Sequence, residues 1–349
     1  QRQMCIRDSS MGQLLDQAVR IYRRSFLRFV GIIAAVQVPL TLLQWPLSWL
    51  TLNASLRAGR SFEGPEALAP YLIATVGSLL LTLLSFALTI GVAAAVLSRA
   101  AADTYLGQPV DFATTLRRIG RSWRPLIGTV LLALLLGLAM AIWAMVPCIG
   151  WFSGIGMLVF SAWIILPLGV ASVVLERKSG MGALRRGWTL GRRRFWWAVG
   201  LVGLLAILGM VVRSPASLLG MLWQYLPWSR SLDWSSQLVL RSVGQTLVAL
   251  LGNLIYLPLQ FTAMTLLYLD LRVRTEGLDL TLQAEGALQG EVRATDLLAQ
   301  APPAERAGFV SGAEFGYFIL LSLAIVAVYL LVGGVILGLT RAFFLTQLP

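Results

Sequence analysis

Few side chains in this sequence could do acid–base or covalent chemistry, and their spacing does not favour it. Histidine is absent, which removes the commonest general base and the commonest metal ligand. A Ser-His-Asp arrangement is therefore impossible. The two cysteines, Cys5 and Cys148, stand far apart and form no zinc spacing. No glycine loop ends in Lys-Ser or Lys-Thr, and there is no nucleophile elbow. Two carboxylate pairs remain, Glu176 with Asp111 and Asp270 with Glu276. All four lie where apolar runs end, so they would meet only at a membrane rim. The sequence thus predicts no catalytic residue, no metal and no cofactor.

The elements that must position these residues are membrane spans. Hydrophobic residues make up 57% of the chain and charged residues 13%, with a mean hydropathy of +0.77. Soluble domains carry about 25% charged residues, too many for this chain to supply, so the bilayer is its natural solvent. Seven runs reach the roughly 20 apolar residues that a helical span needs: 29–50, 70–97, 125–146, 151–175, 195–212, 242–269 and 315–340. The net charge of +12 would suggest nucleic acid in a soluble protein. Here the basic residues flank the apolar runs, so membrane topology explains them and no nucleic-acid partner is expected. Leaving out Arg2 and Arg7 in the first ten residues, twenty lie on the side of the N-terminus and six on the other. That asymmetry predicts a cytoplasmic N-terminus. Trp45, Trp49, Trp223, Tyr225, Trp228 and Trp234 mark the opposite headgroup zone. The stretch 214–230 reads there as an amphipathic or re-entrant helix.

Three basic segments lead into odd-numbered spans: RSFLRFVG (24–31), RSWRPLIG (121–128) and RRFWWAVG (193–200). Each begins with Arg, has an aromatic third residue and ends in Gly, and each follows an Arg-bearing helical stretch. The expected fold is all-α: a polytopic transmembrane helical bundle of six core spans. These form three hairpins, each preceded by a cytoplasmic amphipathic helix, with a seventh C-terminal span added. The domain reading is a non-native N-terminal scar at 1–10, a membrane domain at 11–275, a polar linker at 276–313 and an appended span and tail at 314–349.

Two sets of residues are candidates for function. Arg185, Arg186, Arg192, Arg193 and Arg194, with Trp196 and Trp197, form a cation and aromatic cluster. It reads either as topology and anchoring or as a surface for lipid headgroups or membrane-protein partners. Gln37, Asn253 and Gln260 are neutral polar residues inside spans. They read either as interhelical hydrogen bonds or as the lining of a cavity. The absence of acids from the middle of the spans lowers the case for a coupled carrier.

Four stretches resemble the bacterial glycerophosphoryl diester phosphodiesterase membrane-domain family: MGQLLDQAVRIYRRSFLRFVGIIAAVQVPL, TYLGQPVDFATTLRR, VVLERKSGMGALRRGWTLGRRRFWWAVG and TLLYLDLRVRTEGLDL. Together they span about residues 12 to 280, in the family's order. The resemblance implies the membrane region alone. The soluble barrel that carries catalysis in some relatives uses histidines and metal-binding carboxylates, and this chain has no histidine. The expectation is therefore a non-enzymatic scaffold or accessory subunit in contact with lipids or envelope partners. A passive transporter of a small molecule or lipid is the second reading and a membrane enzyme the third. Oligomeric state is not legible.

Overall fold

A computed structural model describes residues 10–60, 65–105, 123–223, 233–278 and 311–345. Helix α1 is Met11–Arg24 and α2 Phe26–Arg60. The second span is α3 (Pro65–Leu88), a π turn (Thr89–Ala93) and α4 (Ala94–Tyr105). Helix α5 is Trp123–Ala144. The fourth span is α6 (Ile149–Phe160), a second π turn (Ser161–Ile165) and α7 (Leu166–Glu176). Then come α8 (Gly180–Arg193), α9 (Phe195–Leu222), α10 (Trp234–Glu276) and α11 (Gly312–Leu345). The chain is an all-α polytopic bundle, with seven helices among the described residues long and apolar enough to cross a membrane.

Local chemistry sets the helix ends. Ser10 caps α1 in a reciprocal box with Gln13, and Ser311 and Glu314 do the same for α11. Asp233 accepts from the Ser236 amide and starts α10. Helices α7 and α10 each end in a glutamate followed by a left-handed residue, Arg177 (φ 56°) and Gly277 (φ 65°). The stretch 214–222 is a continuation of α9 rather than a separate surface helix. Residues 224–232, like most of the linker, lie outside the described residues.

The hairpins are arranged around the ends of the even spans. Helices α4, α7 and α10 pack on one another, and α2 and α9 pack on α10. Helix α8 lies on α7 and α5, and α1 lies on α10. Of the basic helices, α8 thus rests on the even span before it and α1 on the last one; the segment leading to RSWRPLIG lies outside the described residues. Aligned from their first residues, α1 and α8 have equal length and a serine before each. The buried residues Leu14, Ala18, Ile21 and Tyr22 of α1 then fall on the buried Ala183, Gly187, Leu190 and Gly191 of α8. A further repeat joins GVAAAVLSR (91–99) to GVASVVLER (169–177).

The π turns separate two environments. Before the first, α3 exposes Leu72, Ile73, Val76, Leu79, Leu80, Leu83 and Leu84, whereas after it residues 93–103 are all buried. In the fourth span, α6 exposes Trp151 and Phe152, and nearly all of α7 is buried. The extra residue of a π turn shifts the face that the following helix presents. The shared core therefore lies at the basic end, and the far halves of the spans show leucine to lipid.

Helix α11 is outside the threefold pattern yet firmly docked. Gly156 of α6 lies against it so closely that a Cβ there would collide with the Phe318 carbonyl. The Gly156 amide donates to Ser322 Oγ at 2.7 Å, an example of small residues letting membrane helices meet. Phe318 packs edge-on to Phe160 and Phe195 and stacks with Trp188.

Candidate functional site

Helix α8 is built from GMGALRRGWTLGRR, in which Ala183, Gly187 and Gly191 lie on one buried face. A Cβ at Gly187 would collide with the Ile165 carbonyl. Only glycine lets α8 approach α7 this closely. The approach carries Arg186 inward, to 9% exposure, between the last residues of two spans. Its Nε donates to both Glu176 oxygens at 3.0 Å and its Nη2 to Glu276 Oε2 at 2.6 Å. Nη1 pairs with Glu276 Oε1. Arg272, 1% exposed, adds contacts to Glu276 at 3.3 Å and Glu176 at 3.4 Å. The Tyr268 hydroxyl donates to Glu176.

Two cations and two carboxylates thus balance. Burial alone would lower the Arg186 pKa, but its hydrogen bonds to Glu276 and Glu176 outweigh that and hold it above its ordinary value. The carboxylates accept from fixed donors, so the cluster is suited to clamping three elements together rather than to proton transfer. Among the described residues no group of three or more His, Cys, Asp or Glu is placed to hold a metal ion.

This changes the reading of the basic cluster. Arg186 does not belong to a lipid-facing surface, because its charge is spent on Glu176 and Glu276. Arg192 is half-buried and faces Glu314 of α11 at 3.4 Å. Trp197 is half-buried under the Arg274 guanidinium, 5.1 Å from its ring centre. Arg185, Arg193, Arg194 and Trp196 are exposed. At the same end of the bundle Arg23, Arg24, Arg28, Arg124 and Arg177 are also exposed, beside Phe26, Leu27 and Trp123. Asp111 lies outside the described residues. Asp270 and Glu276 do not form a pair of their own: Asp270 faces Arg274 at 2.9 Å.

The polar residues inside spans separate too. The Gln37 amide donates to Thr89 at 2.9 Å, fastening α2 to the first π turn. Asn253 is half-buried and Gln260 is buried. An apolar cavity of about 570 Å³ opens between α2 and α3, lined by Leu43, Pro46, Leu47, Leu50, Gly77, Leu80, Leu81 and Leu84. None of the three polar residues borders it.

Sequence reasoning overlooked the clamp. Its signal was present: two even spans end in glutamate, at Glu176 and Glu276, and an arginine pair follows the first. No family model, curated protein or solved structure matches the chain. The functional argument rests on these residues.

Proposed function

We propose that this protein is a non-enzymatic scaffold or accessory protein of a bacterial inner membrane, with its basic end at the cytoplasmic leaflet, where it binds anionic lipid headgroups. One observation carries the reading: exposed arginines alternate with exposed aromatic and aliphatic side chains around that end of the bundle. Each cation near an anionic surface contributes about 1 kcal/mol, and the guanidinium fork matches phosphate oxygens in pairs. Trp123 and Trp196 suit the headgroup depth. The twenty-to-six charge asymmetry supports the orientation, and the resemblance to the membrane-domain family supports a membrane role without the phosphodiesterase barrel.

The test leaves the clamp intact by sparing Arg186 and Arg192. Native mass spectrometry of purified protein should show more retained phosphatidylglycerol than phosphatidylcholine. Replacing Arg185, Arg193 and Arg194 with Gln should reduce that preference by about 2–3 kcal/mol. An unchanged preference in a folded variant would remove the reading's support.

A further inference from the structure

The hairpin of α2 and α3 is fastened at one end and parted at the other. Gln37 of α2 donates to Thr89 of the first π turn at 2.9 Å. Two turns further along α2, Gln44 donates to Ser85 of α3 at 2.7 Å. The next residue at that spacing is Thr51. Its hydroxyl turns back to its own helix and donates to the carbonyls of Leu47 and Ser48. Pro46 stands between the last fastening and Thr51, where its ring removes a backbone donor and loosens the helix. Facing Leu47, α3 has Gly77, which carries no side chain to fill the interval. A Cβ there would meet the Leu47 methyls at 3.7 Å, an ordinary contact. The cavity between α2 and α3 begins where the fastenings stop.

The shape and lining of this space decide what can fill it. It follows α2 from Leu43 to Leu50 and α3 from Gly77 to Leu84, a length of about 10 Å on each helix. Its lining is leucine, proline and glycine throughout, so water would find no partners there. A helix about 10 Å across takes up roughly 800 Å³ over that length, and the cavity holds about 570 Å³. A second helix therefore does not fit. The surroundings are hydrocarbon: Leu43, Leu50, Leu80 and Leu84 are exposed on the lipid-facing wall. Trp49, exposed beside Leu50, suits the headgroup depth. Left empty, the groove would deprive its facing leucines of van der Waals partners.

We propose that the groove between α2 and α3 is a binding site for one acyl chain of a phospholipid in the leaflet away from the basic end. The chain lies along the two helices and touches both walls at once, with its headgroup beside Trp49. At the flat outer wall of α5 a chain touches one helix only. Packing contact is what holds it, because lipid tails gain nothing from the hydrophobic effect inside a bilayer. The site uses the other leaflet from the arginine rim and recognises no charge, so the two lipid readings fail separately.

The experiment uses the full chain in phosphatidylcholine nanodiscs that contain a tracer phosphatidylcholine with a diazirine on one acyl chain. Cross-linked peptides are mapped by mass spectrometry. In wild-type protein, residues 43–50 and 77–84 should carry more label than residues 131–138 of α5, whose Leu131, Leu135 and Leu138 are equally exposed to lipid. Gly77→Leu fills the groove from α3 and should abolish that excess while the melting temperature stays at the wild-type value. Leu47→Phe fills it from α2 and should do the same, which keeps the test decisive if one variant folds poorly. Replacing Arg185, Arg193 and Arg194 with Gln should leave the excess unchanged. Label no stronger in the groove than on α5, or an excess that survives both filling variants, would overturn the site. Loss of the excess in the arginine variant would overturn its independence from the rim.

Discussion

Arg186 holds one charge between two carboxylates that belong to different spans, and this makes it the most consequential single side chain in the bundle. Removing one member of a buried ion network leaves the others uncompensated, at about 3–5 kcal/mol. Arg186→Met should therefore lower thermal stability in detergent by about that amount. Arg186→Lys keeps the charge but loses the fork, and should cost about 1–3 kcal/mol. A melting temperature for Arg186→Met equal to that of wild type would show that the clamp contributes nothing. No physiological pH titrates Arg186, because its partners raise an already high pKa. The sequence could not separate Arg185 from Arg186. Adjacent residues on a helix point about 100° apart, and only the position of Glu176 and Glu276 decides which one turns inward.

Among the helices, the basic leaders α1 and α8 and the paired spans were legible because their signals are local: apolar run length and arginine spacing. What the sequence did not show was depth. An amphipathic helix with this pattern can float at the headgroups or wedge into a bundle, and α8 wedges because Gly187 and Gly191 remove the side chains that would hold it off. Helix α11 teaches the same point. Its glycines Gly334 and Gly338 have the four-residue spacing of a helix-packing pair, yet a Cβ at either would meet nothing within 4 Å among the described residues, while Gly156 on α6 is the contact that matters. Gly156→Leu should detach α11 and lower stability by about 1–3 kcal/mol. Hydrogen exchange should rise across residues 312–325 with α8 unchanged. If α11 keeps its protection, the Gly156 contact is not what seats it.

At the scale of the whole molecule, the seven spans match the apolar runs to within a few residues at most ends. The largest departures are extensions. The sixth span runs Ser236–Glu276 and the fifth Phe195–Gly220, because polar residues at their ends are ion-paired, capped or exposed rather than helix-breaking. The proposed orientation rests on charge alone and can be tested at Cys148, which is exposed in the turn between α5 and α6. In a variant with Cys5 replaced by Ser, a membrane-impermeant maleimide applied from the periplasmic side should label Cys148. Labelling only after the inner membrane is opened would reverse the topology. Cys148→Ser is the control.

The two π turns divide the protein into a stiff half and a compliant one. On the basic side of each turn a helix is gripped on all faces by protein. On the other side, α3 turns its leucines to acyl chains, while α6 is held by α5 and α11. A bilayer that thickens or thins therefore strains the far half of the second span first, and the clamp at Glu176 and Glu276 stays at rest while it tilts.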